Sequence, residues 1–143
     1  TVDAVGFDFI RSPELEYVVG IDQKKGKLLN EAFIRIRTFK SEAVVREPLR
    51  KKGNLETFSM VMLDFDFDTQ SDIFDLDAVY YADTMAKSNW EIRFPGEALG
   101  SNLMAVFVDI YGNEARELIP KDLFGANDNQ SHLKIVTKTK KTR

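Results

Sequence analysis

The stretch FSMVMLDFDFDTQSDIFDLD, residues 58–77, decides how this chain is read. It holds Asp64, Asp66, Asp68, Asp72, Asp75 and Asp77, with Phe65, Phe67, Ile73, Phe74 and Leu76 between them. Residues 58–68 alternate with the two-residue period of a strand that has one dry and one wet face. Phe65 and Phe67 are therefore expected inside, with Asp64, Asp66 and Asp68 pointing into water. TQSD (69–72) reads as a polar turn, and a second strand is expected to start near Ile73. Carboxylates on the wet face also discourage strands from joining edge to edge.

Other chemistry is possible for the same residues. Asp64, Asp66, Asp68, Asp72 and Asp75 fall at positions 1, 3, 5, 9 and 12 of a calcium-loop template. The template needs Gly at its sixth position and a bidentate Glu at its twelfth; here stand Thr69 and Asp75, and the flanks read as strands. Asp64 and Asp66 on one strand face would lie about 6–7 Å apart, a separation that suits paired glycosidase acids. Any strand of alternating acids passes that test. An acidic contact surface for a basic partner is the remaining reading.

Alternation continues outside this stretch. EAFIRIRTFK (31–40) sets Ile34 and Ile36 against Arg35 and Arg37. AVYYAD (78–83) and NWEIRFP (89–95) are short and aromatic or β-branched, as strands prefer. LMAVFVDIY (103–111) is apolar on both faces through Val108, which predicts a central strand covered on both sides or one whose far face is an interface. Turns are expected at KKGK (24–27), KKGN (51–54) and FPGEALGSN (94–102). Gly112-Asn113 is expected to form a two-residue type II′ hairpin, with Asp109 or Glu114 satisfying exposed turn amides. SEAVVREPLRKK (41–52) reads as strand running into loop, because Pro48 opposes a helix. PKDLFGANDNQ (120–130) has room for one short helical turn. Eight or nine strands separated by turns predict an all-β fold, an antiparallel β-sandwich that is Ig-like in the loose sense, with Trp90 as an inter-sheet anchor.

The chain has 143 residues, a length for one domain. The expected boundaries are 1–133 for the sandwich and 134–143 for a last strand or basic flexible tail. Hydrophobic content of 43% and charged content of 30% fit a globular domain. The formal charge of −3 argues against a dedicated nucleic-acid binder. With no cysteine there is no disulfide, zinc-thiolate site or cysteine nucleophile, and a cytoplasmic location is expected. No apolar run approaches the ~20 residues of a membrane span. The opening TVDAVGFDFI, without an initiator Met, reads as a domain cut from a longer protein.

No Walker A, dinucleotide-binding or G-x-S-x-G motif occurs, and the single histidine, His132, has no neighbouring partner of the kind a general base needs. No catalytic residue, cofactor or metal is assigned. Basic residues gather at Lys24, Lys25 and Lys27, and at Arg46, Arg50, Lys51 and Lys52. Together with Arg35 and Arg37 they are the DNA-contact candidates, as a phosphate-contacting rim; a further basic group, Lys138, Lys140, Lys141 and Arg143, sits in the tail.

Two segments carry a family resemblance. In NEAFIRIRTFKSEAVV (30–45) the matching residues are Phe33, Arg35, Arg37 and Lys40. In LMAVFVDIYGNEARELI (103–119) they are Val108, Asp109, Ile110, Tyr111, Gly112, Asn113 and Glu114. Both resemble the β-rich C-terminal region of type III-like, adenine-specific DNA methyltransferases of restriction-modification systems. The match covers about a quarter of the chain, its motifs are structural, and the family's catalytic motifs are absent. The resemblance implies a non-catalytic accessory or interaction domain of a larger bacterial DNA-modifying protein, whose partners are the other domains or subunits of that protein, with DNA as a further possible contact. The rival expectations are a DNA-backbone contact module and a calcium-binding adhesion or carbohydrate-binding domain.

Overall fold

A computed structural model of the chain describes residues 12–23, 30–41, 54–125 and 136–138. Where hydrophobic residues alternate, the backbone is extended. β1 (Glu14–Gln23) and β2 (Asn30–Lys40) form a long antiparallel pair. β3 (Phe58–Asp64) and β4 (Ala78–Tyr81) pair next, followed by the short helix α1 (Ala82–Ala86) and β5 (Glu91–Pro95). β6 (Asn102–Asp109) and β7 (Glu114–Pro120) form a hairpin, then come α2 (Lys121–Phe124) and the three-residue β8 (Val136–Lys138).

The strands form two antiparallel four-stranded sheets, ordered β5-β2-β1-β8 and β4-β3-β6-β7. This is the all-β, sandwich-like fold expected. Among the described residues, seven strands have four residues or more, against the eight or nine expected, and the three-residue β8 completes one edge. The shortfall lies partly at 73–77, where the expected second strand is reduced to a single bridge between Asp68 and Ile73. The expected turns at 24–27 and 51–53, the segment 42–52, His132 and most of the basic tail lie outside the described residues.

The core lies between the sheets because each strand turns one apolar row inward. Leu15, Tyr17 and Val19 of β1 and Ile34, Ile36 and Phe39 of β2 meet Val61, Leu63, Leu103 and Phe107 from the other sheet. The rings of Tyr17 and Phe107 are 5.6 Å apart. Trp90, expected as the central anchor, instead sits half-buried at the rim with its ring edge-on to Phe58 at 6.2 Å. Its φ of 61° places it in the left-handed turn from α1 to β5, away from the middle of a layer.

Both edges of the second sheet are managed. β7 carries Glu117 pointing inward, where the Tyr17 hydroxyl donates to its Oε1 at 3.2 Å, and ends at Pro120. An inward charge and a proline both oppose addition of a further strand. β4 is only four residues long.

Candidate functional site

The acidic stretch does not continue as a strand past Asp64. Asp64 is 1% exposed and therefore not on the wet face, which corrects its expected outward orientation. Its Oδ1 accepts the Asp66 N–H at 3.2 Å and its Oδ2 accepts the Asp75 N–H at 2.7 Å. Asp77 Oδ2 accepts the Phe65 N–H at 2.8 Å, and Asp68 Oδ1 accepts the Gln70 N–H. Two N–H bonds from outside the loop's own turns complete the anchoring: Phe67 N–H to Asn102 O, and Gly100 N–H to Phe65 O, both at 2.9 Å. Asp64 and Asp77 thus shape the loop, while Asp66 and Asp68 are exposed as expected and residues 69–72 form the expected turn.

The two phenylalanines part company as a result. Phe65 packs into the inter-sheet core, 5.0 Å from the Phe94 ring. Phe67 crosses to the other side of the sheet and joins Met104, Val106 and Val108. The expectation that both rings share one interior is corrected by the turn at Phe65–Asp66.

The calcium candidates are only partly brought together. Asp64 and Asp66 join Asp77, with one oxygen of each within 4.8 Å of the others, while Asp68, Asp72 and Asp75 are not in that group. Asp77 lies beyond the calcium template, so spacing alone does not find it. The same geometry removes the strand-face separation on which a glycosidase-like pair of Asp64 and Asp66 rested. Burial pushes the Asp64 carboxyl above the ordinary carboxylate range. The N–H groups of Asp75 and Asp66 pull it back, and the Asp66 side chain and Asp77 charge push it up again.

At the other end of the same sheet, Asp109 is 2% exposed. Its Oδ1 accepts the N–H groups of Tyr111 at 2.9 Å and Asn113 at 2.8 Å. Its Oδ2 lies 2.7 Å from Ser41 Oγ, which is itself 2.7 Å from Thr57 Oγ1. The role foreseen for Asp109 therefore holds, but the turn differs from the expected one. Gly112 N–H bonds to Asp109 O and Asp109 N–H to Asn113 O, so Ile110 and Tyr111 form the corners and Gly112 follows at φ 92°. That is a longer loop closed by a left-handed glycine rather than a two-residue Gly-Asn turn.

The outward face of the β4-β3-β6-β7 sheet is apolar across β4, β3 and β6, with exposed Glu114 and Arg116 beside Val108 and Val106 on the β7 edge. Register sets Tyr81, Met60 and Val108 in one row, Val79, Met62 and Val106 in the next, and Met104 beside Leu118 in a third. β6 is buried on both faces along its length, as its sequence predicted. Met60 and Met62 are functional-site residues the sequence reading missed; their signal is the two-residue period of β3, which sets them opposite the core residues Val61 and Leu63. Tyr81 (55%) and Leu118 (45%) leave the margins of this face open to solvent.

The opposite outer face, on β5-β2-β1, is ionic. Arg93 reaches Asp22 at 2.9 Å, Glu31 at 3.0 Å and Glu91 at 2.6 Å, and lies over the Phe33 ring at 5.2 Å. Arg35 is held by Glu91 at 2.9 Å, so its charge is matched within the domain. Arg37 is exposed beside it. The other DNA-contact candidates, Lys24, Lys25, Lys27, Arg46, Arg50, Lys51 and Lys52, lie outside the described residues.

No family model, curated protein or solved structure matches the chain.

Proposed function

We propose that this domain is a non-catalytic interaction module of a larger protein, presenting the outward face of its β4-β3-β6-β7 sheet to a neighbouring domain or subunit. One observation carries the reading: Met60, Met62, Met104, Val106 and Val108 form a second apolar cluster on the side of the sheet away from the core. Met104, Val106 and Val108 are buried, and Met60, Met62, Tyr81 and Leu118 carry the apolar face out to solvent around them. Water-facing sheets normally alternate apolar-in and polar-out, and exposed apolar margins of this kind mark contact sites. The residues that resemble the accessory region of adenine-specific DNA methyltransferases, Phe33, Arg35, Arg37, Lys40 and 108–114, support a bacterial restriction-modification enzyme as the parent, and hence a cytoplasmic setting. Among the described residues, no helix is long and apolar enough to cross a membrane.

Neither rival reading has an observation of equal weight. Arg35 is already paired, and both oxygens of Asp64 already accept backbone N–H bonds. Thermal melts in calcium, in EDTA and with a duplex oligonucleotide test all three. The interaction module keeps one melting temperature throughout. A rise with calcium, reversed by EDTA, replaces it with the metal-binding reading, and a salt-sensitive rise with duplex DNA replaces it with the DNA-contact reading.

A further inference from the structure

We propose that the outward face of the β4-β3-β6-β7 sheet, extended by the 72–77 loop, docks a partner polypeptide whose contact surface is apolar with lysines or arginines at one end. The inference rests on the interaction-module reading and adds the partner's chemistry. Phe67 and Phe74 fold the acidic loop onto the Met104 end of the apolar face, so loop and face form one surface. From that loop Ile73 is 67% exposed and Leu76 is 51% exposed. They alternate with Asp72, Asp75 and Asp77, all exposed, and Asp66 and Asp68 stand exposed nearby. Among the described residues no lysine or arginine forms an ion pair with any of these five acids, whereas the acids on the opposite sheet face, Asp22, Glu31 and Glu91, are matched by Arg35 and Arg93.

The charge selects among occupants. Five acids with no cation paired to them among the described residues repel nucleic acid and anionic lipid and attract a basic surface, and such charge complementarity fixes register and partner choice. A second copy of this chain fits poorly, because among the strand residues of this face Arg116 is the single cation. The exposed Ile73 and Leu76 then contact the partner's apolar side chains while the flanking carboxylates receive its basic ones.

Backbone NMR of the full 143-residue chain, titrated with two short synthetic peptides of alternating Leu-Lys and Leu-Glu, tests this. The Leu-Lys peptide is expected to shift the amides of Met62, Val106, Leu118 and residues 72–77, and the Leu-Glu peptide to leave them in place. The double variant D72N/D75N keeps the backbone bond from residue 75 to Asp64, and should weaken Leu-Lys binding roughly fivefold and flatten its salt dependence. Leu118→Glu should also weaken it. Equal response to both peptides, or indifference to D72N/D75N, overturns the basic-partner inference and leaves the apolar interaction face standing. No shift on this face with either peptide, with L118E also without effect, sinks the interaction reading as well. Self-association through the face that L118E abolishes, or duplex DNA bound there, overturns it in favour of another occupant.

Discussion

Asp64 and Asp109 end the two central strands of one sheet at its opposite ends, and each buries its carboxylate against the backbone N–H groups of the turn that follows. β3 and β6 run antiparallel, with Asp64 opposite Met104 and Phe58 opposite Asp109. Turn N–H groups facing away from water must find acceptors, and one carboxylate supplies two. The arrangement ties both ends of the apolar face to the turns that follow β3 and β6.

Removing Asp109 should cost more than an ordinary surface change. Asp109→Ala takes the acceptor from Tyr111 N–H, Asn113 N–H and Ser41 Oγ together. Buried donors left unsatisfied cost about 1–3 kcal/mol each before relaxation, and a net loss of about 2–4 kcal/mol is expected by urea denaturation. Asp109→Asn, which keeps one carbonyl oxygen, should lose roughly half as much.

Asp64 gives the opposite sign of acid response from most aspartates. Its folded pKa lies above the ordinary 3.8 because burial disfavours the charge. The folded state therefore binds the proton more readily, and this group's contribution to stability is fully present below pH 3.8 and is lost as pH rises through the raised folded value. Asp64→Asn removes that titration. Its effect is measured as the difference between wild type and variant in unfolding free energy across the acid range. The asparagine should be destabilising at neutral pH, since its amide end offers a donor where Asp66 N–H or Asp75 N–H needs an acceptor. The destabilisation should grow on acidification toward pH 3.8, as wild-type Asp64 regains its contribution.

Gly100 locks the acidic loop to the β5–β6 connection by close approach. A Cβ there would sit 2.9 Å from Asp66 Cβ and 3.1 Å from Asp66 Cα, too near for either to stay in place. Gly100→Ala should cost about 1–3 kcal/mol. Its clearer mark is faster amide exchange at Phe67, whose N–H bond to Asn102 O depends on the same approach. Unchanged exchange at Phe67 would mean that the loop holds its path without Gly100.

Much of the fold was legible because side-chain period reports the face directly. Ile34, Ile36 and the run 103–108 occupy the positions their alternation assigns them. β1 carries no clean two-residue signal, because Val18, Val19 and Gly20 interrupt its Leu15-Tyr17 rhythm and the bulge between Glu16 and Tyr17 shifts its pairing register. Asp64 was misplaced for a different reason. An acid in an alternating run belongs in water unless acceptors are needed inside, and the need arises from Asp66 and Asp75 N–H groups brought there by a loop path that no local pattern encodes. Gly112 marked its hairpin but not its place in it, since a positive φ suits both the corner and the position after it.

Alkaline stability should turn on Tyr17. Its hydroxyl is buried, and that burial, with the charge and hydrogen bond of Glu117, raises its pKa well beyond the ordinary 10.0. The folded state keeps the phenol proton that the unfolded chain releases above pH 10.0, so stability falls as pH rises past that value. One such group contributes a slope of about 1.4 kcal/mol per pH unit. Tyr80, also raised by burial, adds to the same fall. Tyr17→Phe should cost about 1 kcal/mol at neutral pH through the lost bond to Glu117. Above pH 10.0 the variant's stability should decline less steeply by one proton's worth, and the two curves should converge. Parallel curves in urea melts between neutral and alkaline pH would show that the Tyr17 hydroxyl ionises as freely in the fold as outside it, and that the inter-sheet contact with Glu117 is not closed to water.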